Sequence, residues 1–277
     1  MAEGGKVSMR DAIGAALRFA RENIGFVAAV AGAGAIAHVV MLGALAAVPM
    51  LLLPCLAATW ALLYAALTRA ALNGPGAVRG TLLRDAGRLA GSGAIVWFFF
   101  AIVALVTAYG AMTLVIAPYA EEARAMKDNE EALTQLMQRA IAEQPDLLFW
   151  AMVVGFAALL LLTSRLFLTA PASVDRGRVV VFESWAWTRG NLLRIVGARV
   201  ILLGPALIFA GALQSLVGMG MGLGVADPIA LAQSAQANPA AFMVFYGAAQ
   251  FIQIAAYFAL EAGLSAALYR QLSPAPR

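Results

Sequence analysis

The chain alternates long apolar runs with short polar segments. Six runs are long enough to cross a bilayer as a helix, which takes about 20 apolar residues. They cover residues 25–47, 50–72, 93–117, 147–170, 195–222 and 241–268. We therefore expect an all-α integral membrane protein with six transmembrane helices.

Some of the polar segments share a second pattern. Segments that begin at Met9, Val78 and Phe182 carry apolar residues three or four apart, with arginines on the opposite face. This pattern is typical of a helix that lies in the lipid headgroup region. Each segment reaches a polar or glycine-containing break and then enters an apolar run. The sequence predicts three transmembrane hairpins, each preceded by an amphipathic interfacial helix.

These hairpins form pseudo-repeats over residues 8–73, 78–170 and 177–269 of a single membrane domain, 1–277. In the third repeat, aromatic residues are expected to enter the acyl-chain region while arginines contact lipid phosphates. The aromatic residues are Phe182 and Trp185, and the arginines are Arg178, Arg189 and Arg194. The alternative is that such basic, aromatic connections serve only as topology anchors.

Composition supports a membrane protein. The chain is 62% apolar and 12% charged, with a mean hydropathy of +0.83. So little polar surface cannot cover a soluble globule of this length. The net charge of +4 gives no indication of a nucleic-acid partner. Since Cys55 is the single cysteine, the sequence excludes an intramolecular disulfide and a multi-cysteine metal site.

The distribution of basic residues predicts the orientation, because lysines and arginines accumulate in cytoplasmic loops. Sixteen of the 19 lie at the N-terminus, at the C-terminus, or around the second-to-third and fourth-to-fifth connections. The other side carries Arg124, Lys127 and Arg139 among eight acidic residues. We expect both termini to be cytoplasmic, and an even number of spans agrees. The exterior loop, 119–146, is expected to be helical over 121–143 because helix-forming residues dominate it.

The sixth apolar run carries polar residues at helical spacing. Tyr246, Gln250, Gln253, Tyr257 and Glu261 fall on one stripe of an α-helix. Glu261 is expected at inner-leaflet depth, as are Arg165 and Arg199. Two interpretations stay open: a structural ion pair or polar tie, and a cavity for a substrate or lipid headgroup.

Few residues carry recognisable chemistry. His38 is the single histidine, which we expect to be a hydrogen-bonded interior residue rather than a proton carrier, and no nucleotide-binding loop is present. The glycine-rich stretch 218–224 lies at the end of the fifth run. Gly197, Gly204, Gly211 and Gly218 recur every seven residues, a spacing that favours close helix packing. We predict no catalytic residues, metal site or cofactor, and hence no enzyme.

One stretch resembles a known group of proteins. The run LTAPASVDRGRVVVFESWAWTRGNLLRIVG, 168–197, has Pro171, then Ser184 and Trp185, then Thr-Arg-Gly-Asn from Thr188. It is similar to the recurring segment of multi-span bacterial proteins related to the membrane domain of glycerophosphodiester phosphodiesterases, and to related inner-membrane families. The ending ALYRQL, 267–272, resembles theirs as well. The sequence has no counterpart of the catalytic barrel, so no hydrolytic chemistry or metal site follows from the resemblance.

The resemblance implies a bacterial inner-membrane location. We expect a non-enzymatic protein that engages membrane lipids or supports other membrane and envelope proteins. The alternative is a small transporter or permease with a polar cavity along the sixth span. Three hairpins of one orientation differ from the inverted repeats common in secondary transporters.

Overall fold

The computed structural model describes residues 6–126 and 129–273, apart from the side chain of Pro228. Lys127 and Asp128 of the exterior loop, and Arg277 among the bases assigned to the cytoplasmic side, lie outside the described residues. The helices in the described part of the chain are α1 Met9–Glu22, α2 Ile24–Leu45, α3 Pro49–Asn73, α4 Leu82–Ile116, α5 Ala120–Ala125, α6 Glu130–Glu143, α7 Pro145–Arg165, α8 Thr169–Asp175, α9 Phe182–Trp187, α10 Leu192–Gly220, α11 Pro228–Ala237, α12 Pro239–Ile252 and α13 Ala259–Leu272. Short 3₁₀-helices occupy Pro75–Val78 and Ala117–Tyr119, and a π-helical segment, Gln253–Phe258, joins α12 to α13.

Helical stretches long and apolar enough to cross a membrane occur at the predicted places. They are Ile24–Leu45, Pro49–Asn73, Leu82–Ala125, Pro145–Asp175, Leu192–Gly220 and Pro239–Leu272. The prediction of an all-helical chain with six membrane-spanning stretches is therefore confirmed for the described residues. The protein belongs to the class of multi-pass membrane proteins.

Local sequence signals determine several helix starts. Pro49 and Pro239 stand in the first turns of α3 and α12, where a missing backbone N–H removes no helical hydrogen bond. The side chain of Asn238 accepts a hydrogen bond of 3.1 Å from the backbone nitrogen of Ala241. Ser8 caps α1 in the same way, because its hydroxyl accepts from the backbone nitrogen of Asp11 at 3.3 Å.

The chain divides into two compact units. The first comprises the residues up to Ala94 together with those from Arg165 onward, and the second is Ile95–Ser164. In the first unit, Ala12 and Ala16 of α1 pack against α13. A Cβ atom added to Gly263 would lie 3.0 Å from the Cα of Ala16, so this pair of helices approaches closely.

The spans of the first unit also pack through small residues. Gly34 of α2 leaves room for Leu63 of α3 and Ile254 of the π-helical segment. Of the glycines spaced by seven in α10, the first and last are closely packed: Gly197 against Met9, and Gly218 against Val225 and Phe245. For the two middle ones, a Cβ would meet nothing within 4 Å in the described part of the chain.

The predicted interfacial helices have three different outcomes. The first is a separate helix, α1, whose Ala12 and Ala16 are buried while Arg18 and Arg21 are exposed. The second is wrong as a separate helix, because α4 runs without interruption from Leu82 to Ile116 through the predicted break at 90–93. Glycine and serine lower helix propensity without preventing a helix that packing supports. The third is short, since α9 has six residues.

The second unit contains most of α4 and α7, together with α5 and α6. A Cβ on Gly155 of α7 would lie 2.6 Å from Cγ2 of Thr107, so α4 and α7 are in close contact there. The amide of Gln144 donates to the backbone oxygen of Val115 at 2.9 Å. The helix predicted over 121–143 is found as two helices, α5 and α6.

Candidate functional site

The α9 helix has an inner and an outer face. Ser184 and Thr188 are completely buried. Their hydroxyls donate to the backbone oxygens of Val181 and Trp185, at 2.5 and 3.1 Å, and each also lies 3.4 Å from the backbone oxygen of Arg165. The outer face carries Phe182 and Trp185, whose exposed fractions are 64% and 43%. Two buried hydroxyls therefore face the interior of the first unit while two aromatic side chains face outward.

The turn after α9 explains the Thr-Arg-Gly-Asn sequence. Gly190 has a φ of 80°, a left-handed conformation that glycine adopts without strain. The next residue, Asn191, is buried, and its Oδ1 accepts a hydrogen bond of 3.0 Å from the backbone nitrogen of Val7. The turn thus connects the start of α10 to the segment before α1.

The arginines around α9 have different environments. Arg178 is exposed and forms an ion pair of 2.6 Å with Glu183, which also binds Arg176 at 3.0 Å. Arg189 is exposed. Arg194 donates from Nη1 to the backbone oxygen of Val7 at 3.1 Å. Arg194 thus makes a contact within the chain, which its sequence pattern did not indicate.

The polar stripe of the sixth span lies along half-buried positions. Gln214 of α10 donates from Nε2 to Oε1 of Gln253 and to the backbone oxygen of Ala249, both at 3.2 Å. The Oε1 atom of Gln250 is buried and has no hydrogen-bond partner among the described residues. The stripe crosses the π-helical segment at Gln253 and Tyr257. Such segments are rare and often occur at functional sites.

The lower part of the stripe contains a group of charged and phenolic side chains. Glu261 interacts electrostatically with Arg199, Tyr257 and Tyr64. Among the residues that the structure describes, no basic nitrogen lies within 4.0 Å of the Glu261 carboxylate. Arg199 also stacks over the ring of Phe167, with 4.7 Å between Cζ and the ring centroid. Arg199 rather than Arg165 is therefore the cation that interacts with Glu261.

Arg165 belongs to a different environment. Its Cζ lies 5.6 Å from the centroid of the Trp185 ring, a cation–π distance. Its Nη1 is buried and has no hydrogen-bond partner in the part of the chain that is described. The sequence grouped Arg165 with the stripe of the sixth span, whereas the structure places it beneath α9.

His38 is an interior residue with one hydrogen bond. It is 1% exposed, and its Nδ1 lies 2.8 Å from the backbone oxygen of Gly34. Because a carbonyl oxygen can only accept, Nδ1 carries the proton in this contact. The ring also meets the edge of Trp60 at a centroid distance of 5.1 Å.

Sequence reasoning missed a buried ion-pair cluster. Asp85 is completely buried and binds Arg69 at 2.8 Å and Arg88 at 2.9 Å. Arg69 also donates to the backbone oxygen of Val174 at 3.0 Å. Arg88 lies three residues after Asp85, a helical spacing that could have indicated this ion pair. No local pattern could have indicated that Arg69 also binds Asp85. Gln214 was missed too, although an amide within an apolar run was a usable signal.

Two cavities found in the described residues lie in the second unit. One, of about 500 Å³, is apolar and lies between α4 and α7, where Thr107, Ala111 and Gly155 are among its lining residues. The other, of about 220 Å³, lies between α5 and α6 and includes Glu122 and Arg139. Neither is lined by the sixth span, so a cavity along the stripe stays a prediction. No three His, Cys, Asp or Glu side chains in the described ranges could share a metal ion.

Comparison of the chain with known protein families, with curated proteins and with solved structures finds no match. The resemblance to membrane domains of glycerophosphodiester phosphodiesterases therefore stays a prediction.

Proposed function

We propose that this multi-pass protein is a non-enzymatic protein of the bacterial inner membrane that engages lipids of the cytoplasmic leaflet. In this arrangement both termini are cytoplasmic, and the spans form three hairpins. Amphipathic segments at α1, at the start of α4 and at α9 lie at the membrane surface. Support of other membrane or envelope proteins is compatible with this role.

The observation that carries the proposal is the two-faced α9 helix. Exposing Phe182 and Trp185 to water would be unfavourable, by about 25 cal/mol for each Å² of apolar surface. At a membrane surface the same side chains become favourable contacts, because aromatic residues suit the headgroup level. Arg178 and Arg189, exposed on either side of the aromatic pair, provide the positive charge that anionic lipids attract.

The depth of α9 in a membrane tests the proposal. The lone cysteine is replaced first, as Cys55→Ser, and a spin label is then attached at Trp185→Cys or, for comparison, at Arg189→Cys. In proteoliposomes with anionic lipid we expect the label at 185 to lie about 5–10 Å below the headgroups, accessible to oxygen. The label at 189 should be shallower and accessible to a water-soluble nickel reagent. A label at 185 in bulk water would refute a membrane-surface role for α9.

A small transporter or permease is the second candidate function. It is favoured by the buried, unpartnered oxygen of Gln250 beside the π-helical segment, because such an acceptor can receive a hydrogen bond from a polar solute. It is second to the lipid-engaging role because it rests on a single buried oxygen atom.

A further inference from the structure

Arg165 has a charged side chain and no acceptor for it in the described chain. Its guanidinium contacts the face of Trp185, and no hydrogen bond or ion pair from this side chain to another described residue is present. The backbone oxygen of Arg165 lies elsewhere, 3.4 Å from the hydroxyl oxygens of Ser184 and Thr188. The backbone oxygen thus lies under α9, while Nη1 of the side chain is buried without an acceptor in the described chain.

An arginine in this position is suited to bind an anion. The guanidinium keeps its charge under all physiological conditions and offers five N–H donors. At the end of an apolar span, an arginine side chain extends toward the headgroup region, where lipid phosphates provide anions. Three other half-buried arginines of the first unit have carboxylate partners: Arg69 and Arg88 bind Asp85, and Arg176 binds Glu183. Glu261 does not supply one, since its electrostatic partner is Arg199.

The surroundings of Arg165 indicate the chemistry of the missing anion. Trp185 covers one side of the guanidinium, and Trp185 and Phe182 present apolar surface outward. An anion bound here would therefore have an apolar part beside it. A phosphate accepts two parallel hydrogen bonds from the planar arginine fork, and a phospholipid attaches that phosphate to glycerol and acyl chains.

We propose that Arg165, stacked on Trp185, binds the phosphate of an anionic phospholipid whose glycerol and upper acyl chains contact Trp185 and Phe182. This inference rests on the proposed function and deepens it, because it assigns one lipid class to one residue. The exposed arginines of the segment act more diffusely, through the surface potential.

Native mass spectrometry of the detergent-extracted full chain tests the inference. The protein is incubated with palmitoyl-oleoyl phosphatidylglycerol, with the zwitterionic phosphatidylcholine of the same acyl chains, or with glycerol 3-phosphate. We expect retention of one phosphatidylglycerol molecule and at least about tenfold weaker retention in Arg165→Gln, since a charge-assisted contact is lost. Equal retention of phosphatidylcholine would overturn the anionic class. Equal binding of glycerol 3-phosphate would overturn a lipid as the source of the phosphate.

Controls separate this role from net charge and from folding. Arg18→Gln removes one exposed positive charge of α1 and should leave retention within about twofold of the unmodified protein. Trp185→Leu keeps Arg165 but removes the indole ring, and should also reduce lipid retention. Arg165→Lys should reduce it too, because lysine lacks the planar guanidinium that donates two parallel hydrogen bonds. Size-exclusion chromatography and thermal unfolding check that each variant folds. If Arg165→Gln does not fold, lipid retention in Trp185→Leu and Arg165→Lys tests the inference instead. Unchanged retention in a folded Arg165 variant would overturn the inference.

The outcome can be distinguished from failure of the proposed function. A spin label at 185 within the membrane, together with unchanged lipid retention in Arg165→Gln, would refute the assigned site and leave the lipid-engaging role intact. A label at 185 in bulk water would refute the proposed function whatever the retention shows.

Discussion

Asp85 lies between two arginines at the start of α4, without exposure to solvent. Arg69 binds both carboxylate oxygens at 2.8 Å, and Arg88 binds one of them at 2.9 Å. Arg69 comes from the end of α3 and reaches on to Val174 of α8. One carboxylate thus joins three helices, and the burial of each arginine depends on it.

We expect Asp85→Asn to reduce the free energy of unfolding by about 3–5 kcal/mol, because it leaves two arginines without their counter-charge in a buried site. The matched control is Glu183→Gln. Its carboxylate also binds two arginines but is 39% exposed, so solvent screens the interaction and the loss should not exceed about 1 kcal/mol. Denaturant titration in detergent measures both. Equal losses in the two variants would show that burial does not strengthen the Asp85 cluster.

At the residue scale, sequence predicted what depends on spacing and missed what depends on tertiary contact. The stripe from Gln250 to Glu261 stays a prediction, because helical spacing fixes which side chains share a face only in a regular α-helix, and Gln253–Phe258 is π-helical. The separate environments of Arg165 and Arg199 could not be predicted from the sequence. Their neighbours Trp185 and Glu261 are far away in the chain, and only packing brings them close.

Among the helices, apolar length was more informative than local breaks. A span must satisfy its backbone hydrogen bonds within itself, so every long apolar run becomes helical. Whether the preceding amphipathic stretch forms its own helix depends on packing. The stretch before the first span forms its own helix, α1, which ends at Asn23 before α2 begins. The stretch before the third span does not, because α4 continues through Ser92, which is buried.

The π-helical segment Gln253–Phe258 was not predicted either, because the spacing argument assumed an uninterrupted α-helix. It lies where α10 and α2 contact the sixth span, and Ile254 within it is completely buried. Gln250 precedes the segment and Gln253 begins it. Of these two glutamines, Gln253 accepts a hydrogen bond from Gln214, while the Oε1 of Gln250 has no described partner.

This difference gives a prediction for the sixth span. Gln250→Leu should be at least as stable as the unmodified protein, because it removes a buried acceptor that makes no hydrogen bond in the described chain. Gln253→Leu, the same substitution three residues later, should lose about 1 kcal/mol with its hydrogen bond to Gln214. The free energies of unfolding of the two variants, measured by denaturant titration in detergent, test this difference.

The same comparison bears on the transporter alternative. If Gln250→Leu keeps its stability but abolishes uptake of a polar solute into proteoliposomes, the result would support a transport pathway past Gln250. If Gln250→Leu instead destabilises the protein as much as Gln253→Leu, Gln250 is a structural tie, and the observation that favours transport no longer holds.

For the molecule as a whole, the number of the spans followed from hydropathy, but their grouping and the start of the third span did not. The first unit is held together by contacts between distant parts of the chain, such as Gly263 with Ala16 and Gly34 with Ile254. A sequence shows that a small residue permits close approach without showing which helix approaches. The three-hairpin organisation, which treats the hairpins as equivalent, stays a prediction.

The orientation of the whole molecule is the last prediction. One side of the membrane is assigned 16 of the 19 basic residues, including Arg18 and Arg21, which are exposed on α1. That side should face the cytoplasm. Asn129, which caps α6, should lie outside. An alkaline phosphatase fused after Asn129 should be active, because it folds only outside the cytoplasm, and one fused at the C-terminus should be inactive. A fluorescent protein that matures only in the cytoplasm should give the opposite pattern. Active phosphatase at the C-terminus would contradict the orientation, and Arg165 would then face the exterior leaflet.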